Sequence, residues 1–209
     1  IIVSDNNSSL INSTHNQEIC SISPSITYIY HERLLPLGNH WQRILLEFTT
    51  GEFVLVLPDD DRLTDIHYLD ECANIIQDNP SIVLIFGDYQ RTGADSKIIQ
   101  PKIPAEGTLL SLFLMLKSFR YGVDGFGPPQ LCSVFNKELA LSSGGFRFNC
   151  TSPDFLFWLD FTTHDKQGRY KYVHISKIVA LYLVHPNALS STYGTRRIFS
   201  DAWAVLQWS

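Results

Sequence analysis

No stretch of this chain approaches the ~20 consecutive apolar residues that a membrane-spanning helix requires. The longest apolar runs, Leu109 to Leu116 and Ile178 to Val184, fall far short of it. Basic charge in excess is missing too: 16 Lys and Arg stand against 21 Asp and Glu, scattered along the chain, for a net charge of −5. That balance gives no electrostatic footprint for a nucleic-acid backbone, so nucleic acid is not an expected partner. The four cysteines, Cys20, Cys72, Cys132 and Cys150, include no C-x-x-C pair. Neither a zinc ribbon nor a disulfide scaffold is indicated, and reduced thiols in a cytoplasm are the simpler reading. Internal repeats and low-complexity tracts are also absent. In place of an initiating Met the chain opens on Ile1-Ile2-Val3, which reads as a buried strand rather than a natural amino terminus.

What is present suits one domain: 209 residues, of which 44% are hydrophobic and 12% aromatic, can bury a sizeable core. Short apolar runs bounded by turn residues alternate with helix-period segments, the pattern of helices covering a mainly parallel sheet, so the predicted class is α/β. Strands are expected at Ile1 to Ser4 and Ile26 to Tyr30. Trp41, Ile44, Leu45 and Phe48 recur at helical spacing and predict a helix between Asn39 as N-cap and Gly51 as stop. Phe53 to Leu57 reads as a buried strand running into Pro58-Asp59-Asp60-Asp61. Next comes a helix capped by Thr64 or Asp65 and carrying Ile66, Leu69, Ala73 and Ile76.

A strand at Ile82 to Phe86 ends at Gly87-Asp88, and Thr92 to Glu106 reads as a loop. A helix over Leu109 to Phe119 and a crossing rich in Gly and Pro at Tyr121 to Pro129 precede a strand at Leu131 to Phe135. The last third predicts a turn at Gly144-Gly145, a helix from Pro153 to His164, strands at Tyr170 to Ile175 and Ile178 to Val184, and a helix from Arg196 to Trp208.

Three successive carboxylates behind a buried strand raise one another's pKa unless they are solvated, cap a helix or bind a cation. A solvated turn and a hard-metal site are both open on the triplet alone, oxygen ligands being those that Mg²⁺ or Mn²⁺ take. Ligands of open α/β sheets bind beyond the carboxyl ends of strands, where both Asp5 and the triplet are expected.

Ile1-Ile2-Val3-Ser4-Asp5-Asn6-Asn7-Ser8, Gly38-Asn39-His40-Trp41 and Gly51 to Leu63, in that order and spacing, resemble family 2 glycosyltransferases. Gly144-Gly145-Phe146, Asp154 to Leu159 and Ala180 to Asn187 resemble that family's later blocks, so the likeness spans roughly residues 1 to 190. The resemblance implies a GT-A fold, a Rossmann-like three-layer α/β/α sandwich with a mainly parallel mixed sheet. On this reading residues 1–90 form the nucleotide- and metal-binding half, and 91–209 the acceptor-side half with the C-terminal helix. It also implies inverting transfer of a sugar from a nucleotide-diphosphate donor to a hydroxyl.

Under the same resemblance Asp5 contacts the nucleotide base or ribose, with an Asx-turn as its purely structural alternative. Asp60 is the metal acid, Asp59 or Asp61 assists, and Asp59 also belongs to the nucleotide site. Pro58 stands where many relatives carry the first acid of that motif. Asp154 is the catalytic base, placed at a helix start whose dipole helps keep it ionised; the competing role is an N-terminal helix acid. Leu156 replaces a second acid common in relatives. His185 approaches the metal or diphosphate, or is a structural histidine. Trp41 and Trp158 read as core, and Arg196 and Arg197 as phosphate contacts or surface residues.

The implied cofactor is Mn²⁺ or Mg²⁺, and the implied partners are a nucleotide sugar and a saccharide or lipid-linked saccharide acceptor. Synthesis of a bacterial surface polysaccharide, O-antigen or capsule, is the expected role. Its expected place is the cytoplasm, with peripheral attachment at the inner face of the cell membrane, through Leu109 to Phe119, as the variant. Relatives begin with a further strand, central in the sheet, and a helix. About 30 to 50 residues, comparable to one strand-plus-helix unit, are therefore expected before Ile1. A non-catalytic nucleotide-binding or scaffold module of the same fold is the alternative. A sugar-phosphate nucleotidyltransferase is disfavoured because no glycine-rich phosphate loop is visible.

Overall fold

The computed structural model describes residues 1–92, 97–100, 103–118, 128–150, 153–165 and 167–185. It opens with a βαβ unit: β1 (Ile2–Asp5), helix α1 (Leu10–Cys20) and β2 (Thr27–Tyr30), with β1 parallel to β2 and Ile2 opposite Thr27. Helix α1 left no periodic signal because it buries only Ser13 and Cys20, while Leu10 and Ile11 face solvent.

Helix α2 (Leu37–Arg43) runs directly into one π turn (Ile44–Phe48), in which Thr49 N–H reaches back to the Ile44 carbonyl at 3.2 Å. Trp41, Leu45 and their neighbours do form a helical stripe, but it begins earlier than the sequence suggested. Pro36, with no N–H to leave unpaired, occupies the N-cap instead of Asn39, and its carbonyl accepts the His40 N–H at 2.9 Å.

The main sheet is mixed. It contains β3 (Phe53–Leu55), β4 (Arg62–Leu63), β5 (Ile82–Arg91), β8 (Ser133–Asn136) and β9 (Lys171–Tyr182) in the order β3-β8-β5-β9-β4; β6 (Lys97–Ile99) pairs with β5, and β7 (Glu106–Thr108) with β9. The neighbours β5 and β9 are parallel, and β3 shares their sense because β8 is antiparallel to both β3 and β5.

Several expectations need correction. The stretch read as a loop from Thr92 to Glu106 contains β6 and the start of β7. The two strands expected at 170–175 and 178–184 are one strand, β9, which skips Ser176 and Lys177 at a register shift opposite Gly87 and Asp88. Helix α3 (Tyr68–Asp78) buries Tyr68 and Cys72, whereas Ile66 is 86% exposed. The short strand β4 had shifted the helix start, and with it the face. Helices α4 (Leu109–Ser118) and α6 (Pro153–Thr163) lie as predicted, joined by α5 (Lys137–Ser142) and by a 3₁₀ turn (Gln130–Cys132) ahead of β8. Most of the crossing at 121–129, and the helix expected at 196–208, lie outside the described residues.

Alternation along β5 gives the molecule its layers. Leu84 and Phe86 enter an aromatic core with Phe135, Phe146, Phe157, Trp158 and Phe161, covered by α4, α5 and α6; Ile85 enters the opposite core with Tyr68, Cys72, Val134 and Val179, covered by α3. At Gly38 a Cβ would stand 2.2 Å from the Phe148 carbonyl oxygen, so only glycine lets α2 approach that backbone. Gly145 adopts φ 62°, beneath the Gln42 side chain that accepts the Phe146 N–H at 2.6 Å.

The β1–β2 pair is not hydrogen-bonded to the main sheet among the described residues. A cavity of about 520 Å³ is lined by the β1 side (Ile1, Ile2 and Ser4), by consecutive residues Phe53 to Leu57 of the β3 side, and by Trp41, Ile44, Leu45 and Phe48. Consecutive residues can line one cavity only along a strand's backbone edge. The two edges therefore face a common groove roofed by α2.

Candidate functional site

The acidic turn forms where β3 gives out. Asp61 N–H bonds the Pro58 carbonyl at 3.2 Å, and the chain then enters β4, whose Arg62 and Leu63 pair with Leu181 and Ala180 of β9. This pairing ties the turn to the far end of β9. Asp61 Oδ1 accepts the Leu183 N–H at 3.1 Å, and two residues on, His185 Nε2 lies 3.0 Å from Asp60 Oδ2. Sequence-predicted Asp60, Asp61 and His185 are thus brought together. Asp59 stands beside them, exposed.

Burial pushes the Asp61 carboxyl up to about 7; the Leu183 N–H opposes the rise, the Asp60 and Asp59 charges add to it, and His185 opposes it. A neighbouring cation would reverse the balance. A carboxylate and an imidazole at 3.0 Å, with a second carboxylate next in sequence, are donor types that a divalent ion takes. They do not make a closed cage: among the described residues no three His, Cys, Asp or Glu side chains converge.

Asp5 ends β1 and is 6% exposed. Its carboxylate accepts the Tyr28 hydroxyl at 2.7 Å, the Ser8 N–H at 2.8 Å and the Asn16 amide at 3.1 Å. Burial works to raise its pKa, but these donors outweigh it and hold the group below the usual carboxylate range. The Ser8 contact reaches three residues on, one more than the Asx-turn weighed from the sequence, and it ties Asp5 to the loop at the end of β1.

Beside it lies a polar cluster that the sequence reading missed. The Ser4 hydroxyl sits 2.7 Å from His40 Nε2 and 3.0 Å from His31 Nε2, and Arg43 approaches His31 Nδ1 at 3.4 Å. An arginine only donates, so His31 Nδ1 accepts, His31 Nε2–H donates to Ser4, and the Ser4 hydroxyl donates to His40. Burial lowers both histidine pKa values, helped by Arg43 at His31 and by His31 at His40. Nothing local in sequence joins Ser4, His31 and His40. A second such meeting, also unforeseen, is His174 Nε2 to Asp88 Oδ1 at 2.7 Å, buried between β9 and β5.

Asp154 occupies the first turn of α6, as predicted. Burial pushes its carboxyl above the ordinary range, against the lowering by the Phe155 N–H and its own N–H. Desolvation thus outweighs the helix start that was expected to keep it ionised. No hydrogen bond joins Asp154 to Asp60, Asp61 or His185 among the described residues. Leu156 and Trp158 are core, and Trp41 packs against it. Arg196 and Arg197 lie outside the described residues.

Comparison with known proteins places the fold. No family model matches the chain, and no curated protein matches its sequence. Among solved structures, S. aureus TarS superposes with a TM-score of 0.62 at 17% identity, covering 88% of this chain and 31% of TarS. A TarS fragment, 1–349, gives 0.62 at 15% identity over 87% and 50%. The structure of GalNAc-T7 with UDP, GalNAc and Mn²⁺ gives 0.53 at 12% identity, over 99% of this chain and 42% of that one. The chain therefore has the mixed α/β fold of GT-A glycosyltransferases. It spans between about a third and a half of the structures it matches.

Proposed function

We propose that this chain is the donor-binding part of a glycosyltransferase that moves a sugar from a nucleotide diphosphate to a hydroxyl acceptor with inversion. The observation that carries the reading is the contact of Asp60 with His185 at 3.0 Å, beside the Asp61 cap on Leu183 N–H, where β3 and β9 end on one side of a GT-A-like sheet. In this reading Asp60 and His185, with Asp61 or Asp59, hold Mn²⁺ or Mg²⁺. The cation, when bound, supplies positive charge against the diphosphate.

Asp5 and its donors shape the loop that meets the nucleotide. Asp154 takes the proton from the acceptor hydroxyl as its oxygen bonds to the anomeric carbon and the nucleotide diphosphate departs. A carboxyl whose pKa is raised holds that proton better at neutral pH than an ordinary one. GalNAc-T7, whose structure holds UDP and Mn²⁺, lends the metal and nucleotide support at the level of fold. Family 2 membership, a lipid-linked or other saccharide acceptor, a bacterial surface polysaccharide as destination and a cytoplasmic or membrane-peripheral location rest on the sequence resemblance. No helix among the described residues is long and apolar enough to cross a membrane.

The groove between β1 and β3 belongs to the same reading as the place of one further extended strand. Its support is the pair of strand edges that line it, neither paired among the described residues, together with the apolar roof of Trp41, Ile44, Leu45 and Phe48.

The test is calorimetric titration of UDP, GDP and dTDP, with Mn²⁺, with chelator, and against Asp60→Ala. Binding of one nucleotide that needs both the metal and Asp60 supports the transferase site. A folded chain that binds none of the three sinks it.

A further inference from the structure

Arg62 directly follows three carboxylates and pairs with none of them. It is exposed, and its guanidinium has no hydrogen bond or ion pair among the described residues. Arg43 and Arg147, by contrast, reach Glu47 and Asp160 at 2.9 and 2.8 Å. Strand pairing accounts for where Arg62 points. Register with β9 sets Arg62 opposite Leu181 and Leu63 opposite Ala180; across β9, Leu181 pairs with Gln90 of β5 and Ala180 with Tyr89. Leu63, Ala180 and Tyr89 pack in the core covered by α3.

Successive residues of a strand point to opposite faces, so the row Arg62, Leu181 and Gln90 lies on the other face, which α4, α5 and α6 cover at Leu84 and Phe86. Leu181 and Gln90 are only half-buried and Arg62 is exposed, so the described helices do not close over this row. Asp154 stands in the first turn of α6, a helix of that same face.

In the transferase reading the donor reaches from a cation at Asp60 and His185 to the acceptor hydroxyl at Asp154. Its diphosphate therefore leaves the acidic turn on the Arg62 face. Charge at that place does not balance. Asp59, Asp60 and Asp61 bring three carboxylates and the diphosphate adds more negative charge, against the two positive charges of a divalent cation. The imbalance grows during transfer, because the electrons of the breaking bond stay with the departing diphosphate oxygen. A guanidinium is always charged and presents its N–H donors in a planar fork that matches phosphate oxygens.

We propose that Arg62 binds the diphosphate of the nucleotide-sugar donor alongside the cation. This rests on the transferase reading and names a contact residue within that site. β4 holds the side chain one residue beyond Asp61, on the face that carries Asp154, and no carboxylate of the fold competes for it among the described residues.

Arg62→Met keeps the apolar stem and removes the charge. Lys171→Met, at the opposite end of β9, removes an equal charge from an exposed position away from the site. Without ligand both variants melt within about two degrees of the wild type, as expected for exposed side chains. In calorimetry with Mn²⁺ and whichever of UDP, GDP or dTDP the wild type binds, Arg62→Met binds about tenfold more weakly and Lys171→Met within about twofold. Inorganic pyrophosphate with Mn²⁺ shows the same loss in Arg62→Met, which assigns the contact to the diphosphate rather than to base or ribose. Equal nucleotide affinity of Arg62→Met and the wild type overturns the proposal. An equal loss in Lys171→Met, a loss for the nucleotide with none for pyrophosphate, or a melting temperature lowered by several degrees in Arg62→Met each overturns it too. Failure of the underlying reading shows differently: the wild type itself binds none of the three nucleotides, and the diphosphate contact falls with it.

Discussion

Asp60 and His185 are 125 positions apart in sequence, yet the carboxylate Oδ2 and the imidazole Nε2 meet at 3.0 Å. Two backbone devices cause the meeting. The β4–β9 pairing anchors the residues after Asp61, and Asp61 itself caps the Leu183 N–H just before His185. The pair is therefore placed by the sheet. If it holds a cation with a ligand's phosphates, His185→Ala and Asp60→Ala each weaken Mn²⁺-dependent nucleotide binding by about tenfold to a hundredfold, on the scale of losing a metal-site contact. In chelator the two variants and the wild type bind alike, and calorimetry with and without Mn²⁺ checks this.

Asp61 gives a pH signature in the metal-free chain. Its folded pKa, about 7, lies above the ordinary carboxyl value of 3.8, so the folded state holds a proton that the unfolded chain has released between those values. The stability this contributes is complete below the lower value and is lost as pH rises through the upper one. Asp61→Asn keeps the acceptor for Leu183 and cannot ionise. Its melting temperature should therefore match the wild type near pH 4 and exceed it increasingly up to pH 7.5, and saturating Mn²⁺ should erase or reverse the gain. Thermal denaturation across that range is the measurement.

The His31–Ser4–His40 chain predicts the opposite slope. Both histidine pKa values are lowered from 6.5 on folding, so the unfolded chain binds protons first as pH falls below that value. Their contribution is intact above about pH 6.5 and is lost through the folded values below it. Ser4→Ala removes the hydroxyl between the two rings and costs about 1 to 2 kcal/mol at pH 7.5, the usual scale for a hydrogen bond lost within a part-buried network. Nitrogen-15 spectra should show His31 protonated at Nε2 and His40 at Nδ1. The reverse assignment would refute the ordered chain.

Asp154→Asn should remove transfer by roughly a hundredfold to ten-thousandfold, the range of a general base, while nucleotide affinity stays unchanged. In the wild type the acid limb of the rate profile should lie above the range of an ordinary carboxyl, because burial raises this group. Activity unaffected by the substitution would return Asp154 to the role of a helix-start acid.

Gly38→Ala should destabilise by about 2 to 4 kcal/mol, since the new Cβ would meet backbone rather than a side chain that can turn aside. Urea denaturation gives the value, and Gly51→Ala, whose Cβ would meet its neighbour at a milder 3.1 Å, serves as the comparison.

Elements with a strong apolar run or stripe were legible in the sequence: β1, β3, the first half of β5, α4 and α6 all fall where periodicity put them. Those without one were not. Helix α1 buries two small residues, β6 pairs through a three-residue strand, and β4 has two residues, all too little burial to leave a pattern. The acidic turn was legible for the same reason that β3 was, since charge directly behind a buried strand stands out at any register.

The sequence by itself determined the class of the chain, the strand that delivers Asp59, Asp60 and Asp61, and the helix that carries Asp154, because local burial and charge are written in adjacent residues. Only tertiary structure decided that Asp61 caps Leu183 so that His185 reaches Asp60, that Ser4 stands between two histidines, and that His174 meets Asp88 between β9 and β5. Those facts depend on strand pairing, register and packing between segments far apart in the chain, and no local pattern encodes which distant backbone a strand will choose.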